Sequence, residues 1–520
     1  MNKFWLGPPG TGKTWTLIDQ VKKYLAKGIH PRDIAYISFT KVAAKEAKTR
    51  AIENFPEFSE KDFCNFRTLH SLAHDEVPEV RDNTMQDSDY AELGRQLPFQ
   101  YDFGDNTDWN SPFDSEGKLA TKNPYLQLVN KAVVCKQTIE EAYDGNTNYK
   151  LKRSTTYLLD EHLKKYKDQK GLYDFNDYLL LFAGKEVVPS YKVLIVDEAQ
   201  DLSLIQWDCI ERLIENAGDI HIAGDDDQAI FVWAGASVEK FRSFKNREGF
   251  KTEYLKQSRR VPQKIYVVAE KIIERDPDRI RKEYLPTENE GHIMEINHLE
   301  SIIPDVVRTI NNSKDCTWMI LASTNNMLKE AFGECKKAGI KYDSSRSKPM
   351  NEDKVNAIDD WSDFRQGHTK LKGTRIKVIY GYMASNVKRG FKSGKKAPDD
   401  LEEYSLQDCI DKFGLLTTDT WDKAFLKLPD QEVQYIKGIL DSGKKLTDPS
   451  QVRISTISSI KGGEADNVIL YRDISWGEKL TKSPESHRKF YVAVTRARST
   501  LIVVSPRNYD LAYNLPIGRD

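Results

Sequence analysis

The stretch Gly7-Pro8-Pro9-Gly10-Thr11-Gly12-Lys13-Thr14 fits the pattern G-x-x-x-x-G-K-[ST] in full. Its glycines let backbone N–H groups turn inward and come close to a phosphate chain. The run that follows, TWTLIDQVKKYL, reads as a helix whose positive end points at the same place. Gly7, Gly10, Thr11 and Gly12 are therefore expected to cradle the phosphates of ATP. Lys13 is expected to reach the β- and γ-phosphates, and the Thr14 hydroxyl to bind Mg²⁺. A glycine loop in an ordinary turn is the competing reading, and a second motif decides against it.

Val193-Leu194-Ile195-Val196-Asp197-Glu198 is that motif. Its four apolar residues predict a buried strand delivering Asp197 to the carboxyl edge of a parallel sheet, where α/β folds bind ligands. Asp197 is placed to hold Mg²⁺, often through water, and Glu198 to orient and deprotonate an attacking water. Around this strand, DIAYISF (33–39), YKVLIVD (191–197) and GDIHIAGD (218–225) alternate with helical runs, as in a parallel α/β sheet. A second group runs through CTWMILAST (316–324), VRISTIS (452–458), DNVILYRD (466–473) and TLIVVSP (500–506). The pattern predicts an α/β fold with two cores, each interrupted by an insertion.

The bulk numbers suit this size of fold. The chain has 520 residues, of which 39% are hydrophobic and 30% charged, too many for one core and too apolar for a disordered chain. No apolar run approaches a membrane span, and the amino terminus lacks the pattern of a signal peptide, so a soluble, unexported protein is expected. The six cysteines are scattered, with no C-x-x-C, which argues against a zinc or iron–sulfur site and fits a reducing cytosol. The net charge of −1 says nothing for nucleic acid, so any binding surface must come from local charge separation.

Further blocks follow in order: ISFTKVAAKEAKTR (37–50), RTLHSLAH (67–74), YDFNDYLLLF (173–182), DEAQD (197–201), AGDDDQAIFVWAGA (223–236), KQSRRVP (256–262), TISSIKGGEADNV (456–468) and FYVAVTRAR (490–498). Together with the phosphate loop they resemble the motif set of UvrD/Rep-like superfamily 1 DNA helicases. The resemblance implies two tandem RecA-like P-loop NTPase cores, each with an inserted accessory subdomain. The first core is expected over 1–74 and 171–247, the second over 248–345 and 451–520, with insertions over 75–170 and 346–450. It also implies an ATP-driven motor that moves 3′ to 5′ on single-stranded DNA and separates duplexes in replication, repair or recombination.

Site roles follow residue by residue. The amide of Gln228, after a strand end and three aspartates, can sense the γ-phosphate without adding charge. Phe231 and Trp233 are aromatic platforms for exposed bases, each stack contributing ~1–3 kcal/mol, or else core aromatics; the spacing alone leaves both readings open. The resemblance favours Trp233 for stacking, with Phe39 across the strand path, and places Thr40 and His70 in DNA-contacting segments. It makes Arg260 and Arg496 arginine fingers, for which a planar, permanently charged fork suits the spread charge of phosphoryl transfer. It gives Glu464 a contact to the nucleotide sugar, and Thr456 and Ser458 contacts to the DNA backbone.

The chain departs from the family in several places. Only six residues precede Gly7, where the family carries a glutamine that reads adenine, and Arg259 stands where an adenine-stacking tyrosine is common. A guanidinium stacks on any purine with little selectivity, so relaxed nucleotide choice is expected. Ala234 replaces an arginine and Ser458 a histidine, and the chain stops soon after Arg498, with no appended nuclease.

Residues 364–396 carry ten cations and no acid, among them Lys388, Arg389, Lys392, Lys395 and Lys396, with Tyr380, Tyr382 and Phe391 interleaved. An acidic run (399–411) follows at once. Such separation suits a duplex or junction backbone, although most charge runs are solvated loops. The insertion at 75–170, with an Asp/Asn-rich loop at 102–116, is assigned no chemistry. The expected partners are single-stranded DNA and a duplex junction, with no membrane and a functional monomer or weak oligomer, in the cytoplasm of a bacterial or phage-infected cell. Two other readings remain: a translocase that strips proteins from single strands without processive unwinding, and a nucleotide-switched scaffold that binds nucleic acid. The presence of Glu198, Gln228, Arg260 and Arg496 argues against the scaffold, which needs none of them.

Overall fold

The computed structural model describes residues 2–97, 123–146, 151–344, 350–481 and 483–517. The Asp/Asn-rich loop at 102–116 lies outside the described residues. By compactness the chain divides into two units. The first is Met1–Glu295 with Leu321–Met327 and Thr456–Asp520; the second is Ile296–Ile320 with Leu328–Ser455. The segments 248–295 and 456–520, expected within a second core, thus share a unit with the phosphate loop.

In the first unit, strands β1 (Asn2–Leu6), β2 (Ile34–Ser38), β3 (Phe66–Thr68), β4 (Tyr191–Asp197), β5 (Ala217–Gly224) and β6 (Phe250–Tyr254) form one sheet in the order β3-β2-β4-β5-β1-β6. Every pairing in it is parallel. A parallel sheet needs cover on both faces, and the two-residue period of each strand supplies two apolar faces. Phe4, Leu6, Ala35, Ile37, Leu194 and Val196 point into one cluster; Trp5, Ile34, Tyr36, Val193 and Ile195 point into the other. Burying each large aliphatic or aromatic side chain contributes about 1.5–3 kcal/mol, so the alternation fixes the register firmly.

The register then sets the site. Leu6 lies level with Gly224 and Tyr254, and Ser38 level with Thr68 and Asp197. The loops leaving these residues emerge at one sheet edge, carrying Gly7–Thr14, Phe39, Glu198, Asp225–Gln228 and Leu255–Arg260. Helix α1 (Lys13–Ala26) leaves the first of them, and α2 (Lys41–Asn54) and α3 (Leu69–Glu76) follow β2 and β3. The lysine-rich run late in the first insertion is a helix, Arg153–Lys170.

A second six-stranded sheet comprises His292–Ile296, Trp318–Ala322, Tyr342–Asp343, Val452–Thr456, Ala465–Tyr471 and Ala497–Val504, so the chain has the two parallel-sheet α/β cores expected. Within the first unit Ala465–Tyr471 pairs in parallel with Ala497–Val504, and within the second Val452 pairs with Tyr342. The second unit also packs helices Glu352–Phe364, Gly373–Tyr382 and Asp430–Asp441, with Trp361 fully buried near Phe364 and Phe425. No helix among the described residues is long and apolar enough to cross a membrane.

Candidate nucleotide and nucleic-acid site

The phosphate loop is built on two left-handed glycines, Gly10 (φ +76°) and Gly12 (φ +82°). Both conformations disfavour a side chain, and at Gly10 a Cβ would also lie 2.6 Å from the Cβ of Arg260. Gly12 caps α1, so Lys13 and Thr14 form its first turn, where unsatisfied N–H groups favour an anion. The Lys13 ammonium donates to the Gly7 carbonyl at 2.8 Å, and the Thr11 hydroxyl to Pro8 O at 2.8 Å. A later segment clamps the loop from outside. Ser258 Oγ and Tyr284 OH both donate to the Pro9 carbonyl, at 3.0 and 2.9 Å, and the Arg259 N–H donates to Gly10 O at 2.9 Å.

The Thr14 hydroxyl and the Tyr36 phenol both donate to Asp197 Oδ2, at 2.9 and 2.8 Å, and the Glu198 N–H donates to Asp197 Oδ1 at 2.9 Å. This is a buried carboxylate beside the hydroxyl of a phosphate loop, a donor set of hard oxygens that fits Mg²⁺. Burial, with the charge of Glu198 adding to it, pushes Asp197 above the usual carboxylate range. Burial acts in the same direction on Glu198, but the ammonium groups of Lys13 and Lys461 outweigh it and hold that carboxyl below its usual range. Glu198 is also left-handed, at φ 55°, a conformation that costs a non-glycine residue about 1–3 kcal/mol and recurs at functional sites.

Gln200 ties two strand ends together, a role that sequence reading missed although the residue stands inside DEAQD. Its Nε2 donates to Glu198 Oε2 at 2.6 Å and its Oε1 accepts from the Asp225 N–H at 3.0 Å. Gln228 Nε2 donates to Asp225 Oδ2 at 2.8 Å, while its Oε1 accepts from Arg496 Nη2 at 3.1 Å. Arg496 is 1% exposed and donates otherwise to the carbonyls of Val492 and Gly463, at 2.9 and 3.1 Å. It has no ion pair among the described residues. Burial, then repulsion from Arg260, brings its guanidinium down to about 9. Arg260 pairs instead with Glu464, which also pairs with Arg498.

The aspartates 225, 226 and 227 are the one group of carboxylates among the described residues close enough to hold a metal, and they already hold a cation. Lys282 Nζ lies 2.8, 2.5 and 3.0 Å from them, with every partner fully buried. Arg242 and Arg279 pair with the outer two. Nothing local in the sequence announces Lys282, whose partners lie more than fifty residues away.

The expected nucleic-acid residues divide by exposure. Phe231 is 2% exposed and stacks on Phe39 with centroids 5.5 Å apart; Trp233, 6.4 Å further on, is 40% exposed. Glu485 accepts from the Trp233 backbone N–H at 3.3 Å. Thr40 caps α2 through its hydroxyl. His70 is buried, and burial, then the charge of Lys41, brings it down to about 4, so its ring is neutral at pH 7. Its Nε2 has no hydrogen-bond partner among the described residues. A cavity of about 20 Å³ lies between His70, Phe39, Phe231 and Asp201, room for about one water. Thr456 Oγ1 lies 2.9 Å from Ser459 Oγ, and Ser458 opens the turn Ser458–Ile460. In the second unit Lys388, Arg389 and Lys392 are exposed on a turn past helix Gly373–Tyr382, and Arg389 pairs with Asp419 at 3.2 Å. Tyr380 and Phe391 stack beneath them at 4.8 Å.

A glycine phosphate loop, a strand-borne Asp-Glu pair and a buried arginine beside a glutamine, set on paired parallel-sheet cores, define a P-loop nucleoside triphosphatase. The family comparison narrows the class. Residues 5–248 match the model of the UvrD/REP helicase N-terminal domain and residues 451–504 that of the UvrD-like helicase C-terminal domain, together more than half of the chain. The chain belongs to the UvrD-like superfamily 1 helicases. It is 27% identical over 293 residues to a probable DNA helicase of Mycoplasma pneumoniae, covering 51% of each chain. It is 26% identical over 371 residues to DNA helicase II of Haemophilus influenzae (64% of this chain, 48% of that one). It is 25% identical over 350 residues to the ATP-dependent DNA helicase srs2 of Schizosaccharomyces pombe (64% and 38%). The chain thus spans about half the length, or less, of these relatives.

Proposed function

We propose that this chain is an ATP-dependent DNA helicase that moves 3′ to 5′ on single-stranded DNA and separates duplexes. One observation carries the reading: Gln228 is bonded to Arg496 inside the nucleotide site and stands three residues before Phe231, which stacks on Phe39. A change at the γ-phosphate therefore has a short covalent path to an aromatic pair of the kind that grips bases. Lys13 and the loop N–H groups hold the phosphates, and Thr14 and Asp197 hold Mg²⁺, which when bound offsets negative charge on the phosphate oxygens. Glu198 takes the proton of the attacking water, while Arg260 and Arg496 meet the charge that develops on the transferred group. The test is unwinding of 3′-tailed against 5′-tailed duplex, with Lys13→Ala as control. Equal activity on both tails rejects the polarity, and activity that survives in the control rejects the motor. ATP-driven removal of bound protein without strand separation would favour a pure translocase.

Base recognition is the loosest part of the site. The Arg259 guanidinium lies 5.4 Å from the ring centre of Trp15, which is 56% exposed two residues beyond Lys13. Planar faces of this kind stack on any base and read no edge. ATP, GTP and CTP should be hydrolysed at comparable rates; a preference for ATP beyond about tenfold, ~1.4 kcal/mol, would reject this.

The exposed cations of the second unit are proposed to follow duplex backbone near the junction. Lys388, Lys392, Lys395 and Lys396 make no ion pair among the described residues, so their charge is available to phosphates. Replacing these four and Arg389 by glutamine should weaken binding to a tailed duplex and flatten its log–log salt slope by as much as ~4, about 0.9 per phosphate released. An unchanged slope speaks for a solvated loop.

A further inference from the structure

Lys461 stands in a turn between Ser458–Ile460 and the left-handed Gly462 (φ +87°), with its side chain mostly buried. Its ammonium touches three otherwise separate parts of the first unit. It forms an ion pair with Asp201 and lies 3.7 Å from Glu198 Oε2, both on the loop after β4. It donates to the Gln228 carbonyl at 2.9 Å, on the loop after β5. It also lies 5.5 Å from the ring centre of Phe231, whose other neighbour is Phe39. Asp201 closes the group: one of its oxygens takes Lys461, and the other, buried, has no hydrogen-bond partner among the described residues.

We infer that Lys461 is a positioning residue through which a nucleic-acid base at the Phe39–Phe231 pair sets the placement of Glu198. This rests on the helicase reading above. An ammonium is a compact charge shared among acceptors by distance, and here one is shared among two carboxylates, a carbonyl and an aromatic face. A base that enters the pair must shift or tilt Phe231, which changes both that ring and the Gln228 carbonyl as seen by Lys461. The ammonium then redistributes between Asp201, which it grips closely, and Glu198, which it now meets only at 3.7 Å. Glu198 is also held by Gln200, so a shift of the Lys461 charge moves the balance at that carboxylate without breaking its other contact. Hydrolysis is thereby slow on the closed pair and fast on the occupied one.

The experiment compares ATP turnover with and without saturating oligo-dT, together with fluorescent-nucleotide and oligonucleotide affinities. In Lys461→Met the stimulated-to-basal ratio should fall about tenfold or more, the worth of one buried cation–π and carboxylate contact, with Lys461→Arg restoring part of it. Combining Lys461→Met with Phe231→Leu should lower the ratio no further than the stronger single change, because both act through one path. Lys461→Met with Asp201→Asn removes both charges and separates coupling from an unbalanced buried acid: its ratio should stay low while nucleotide affinity is kept. A ratio unchanged in Lys461→Met, or losses that multiply in the combination with Phe231→Leu, overturns this inference alone. Wild-type turnover indifferent to oligo-dT overturns the helicase reading and the inference together.

Discussion

Replacing Arg496 by alanine is expected to lower DNA-stimulated ATP turnover by ~10³-fold or more, the range an arginine finger contributes to phosphoryl transfer. The structure explains why this arginine should matter so much. Its fork is 1% exposed and bonded to neutral acceptors only, Val492 O, Gly463 O and Gln228 Oε1. A buried cation without a carboxylate is costly, and burial draws its pKa down to about 9. Such a charge has most to gain from an anion brought into the site, and in a dry environment its effect on a developing phosphoryl charge is little screened. Arg260 is different, since Glu464 already offsets it, and its loss should cost less. Lysine at 496 should recover little, because one ammonium cannot reproduce three bonds that leave a rigid fork in different directions. Turnover is read beside fluorescent-nucleotide affinity, which should fall far less and which also reports that the site has folded. Turnover within tenfold of wild type would remove Arg496 from the catalytic set.

Much of this arrangement was legible in the sequence for a simple reason: its parts are local. The phosphate loop, the Asp-Glu pair and the strands ending at Asp197 and Gly224 are contiguous segments, and a strand buried on both faces writes itself as an apolar run. Other elements of the same sheet were silent. Phe66–Thr68 is three residues long, and the edge strand Phe250–Tyr254 reads FKTEY, because only part of it meets a core. The contacts that hold the site in shape were silent too. Tyr284 and Ser258 on Pro9, and Lys282 among three aspartates, join residues far apart in the chain, and a tertiary contact leaves no local period or spacing. Phe231 and Trp233 show the limit from the other side. Both readings of that pair, base platform and core aromatic, were open, and the fold gives the two rings different settings: Phe231 under cover against Phe39, Trp233 nearly half in solvent.

Glu198→Gln should separate chemistry from binding most cleanly. The expected loss in turnover is ~10²–10⁴-fold, the usual worth of a positioned general base, with nucleotide affinity kept within about threefold. Glutamine has the shape of the residue it replaces, and its carbonyl can still accept from Gln200 Nε2, which now meets Glu198 at 2.6 Å. What it lacks is a charge and a place for a proton. In the wild type the Lys13 and Lys461 ammonium groups hold this carboxyl ionised in a buried site, so the base is ready before a water arrives. Asp197 is pushed the opposite way by the same burial and by its neighbour's charge, so the two adjacent acids divide into a proton acceptor and a cation ligand. The variant should therefore load nucleotide and Mg²⁺, grip single-stranded DNA and stall. Single-turnover quench with radiolabelled ATP distinguishes a slow chemical step from slow product release. If the chemical step keeps its wild-type rate, Glu198 is not the base; if nucleotide binding collapses along with turnover, the residue holds the loop rather than the water.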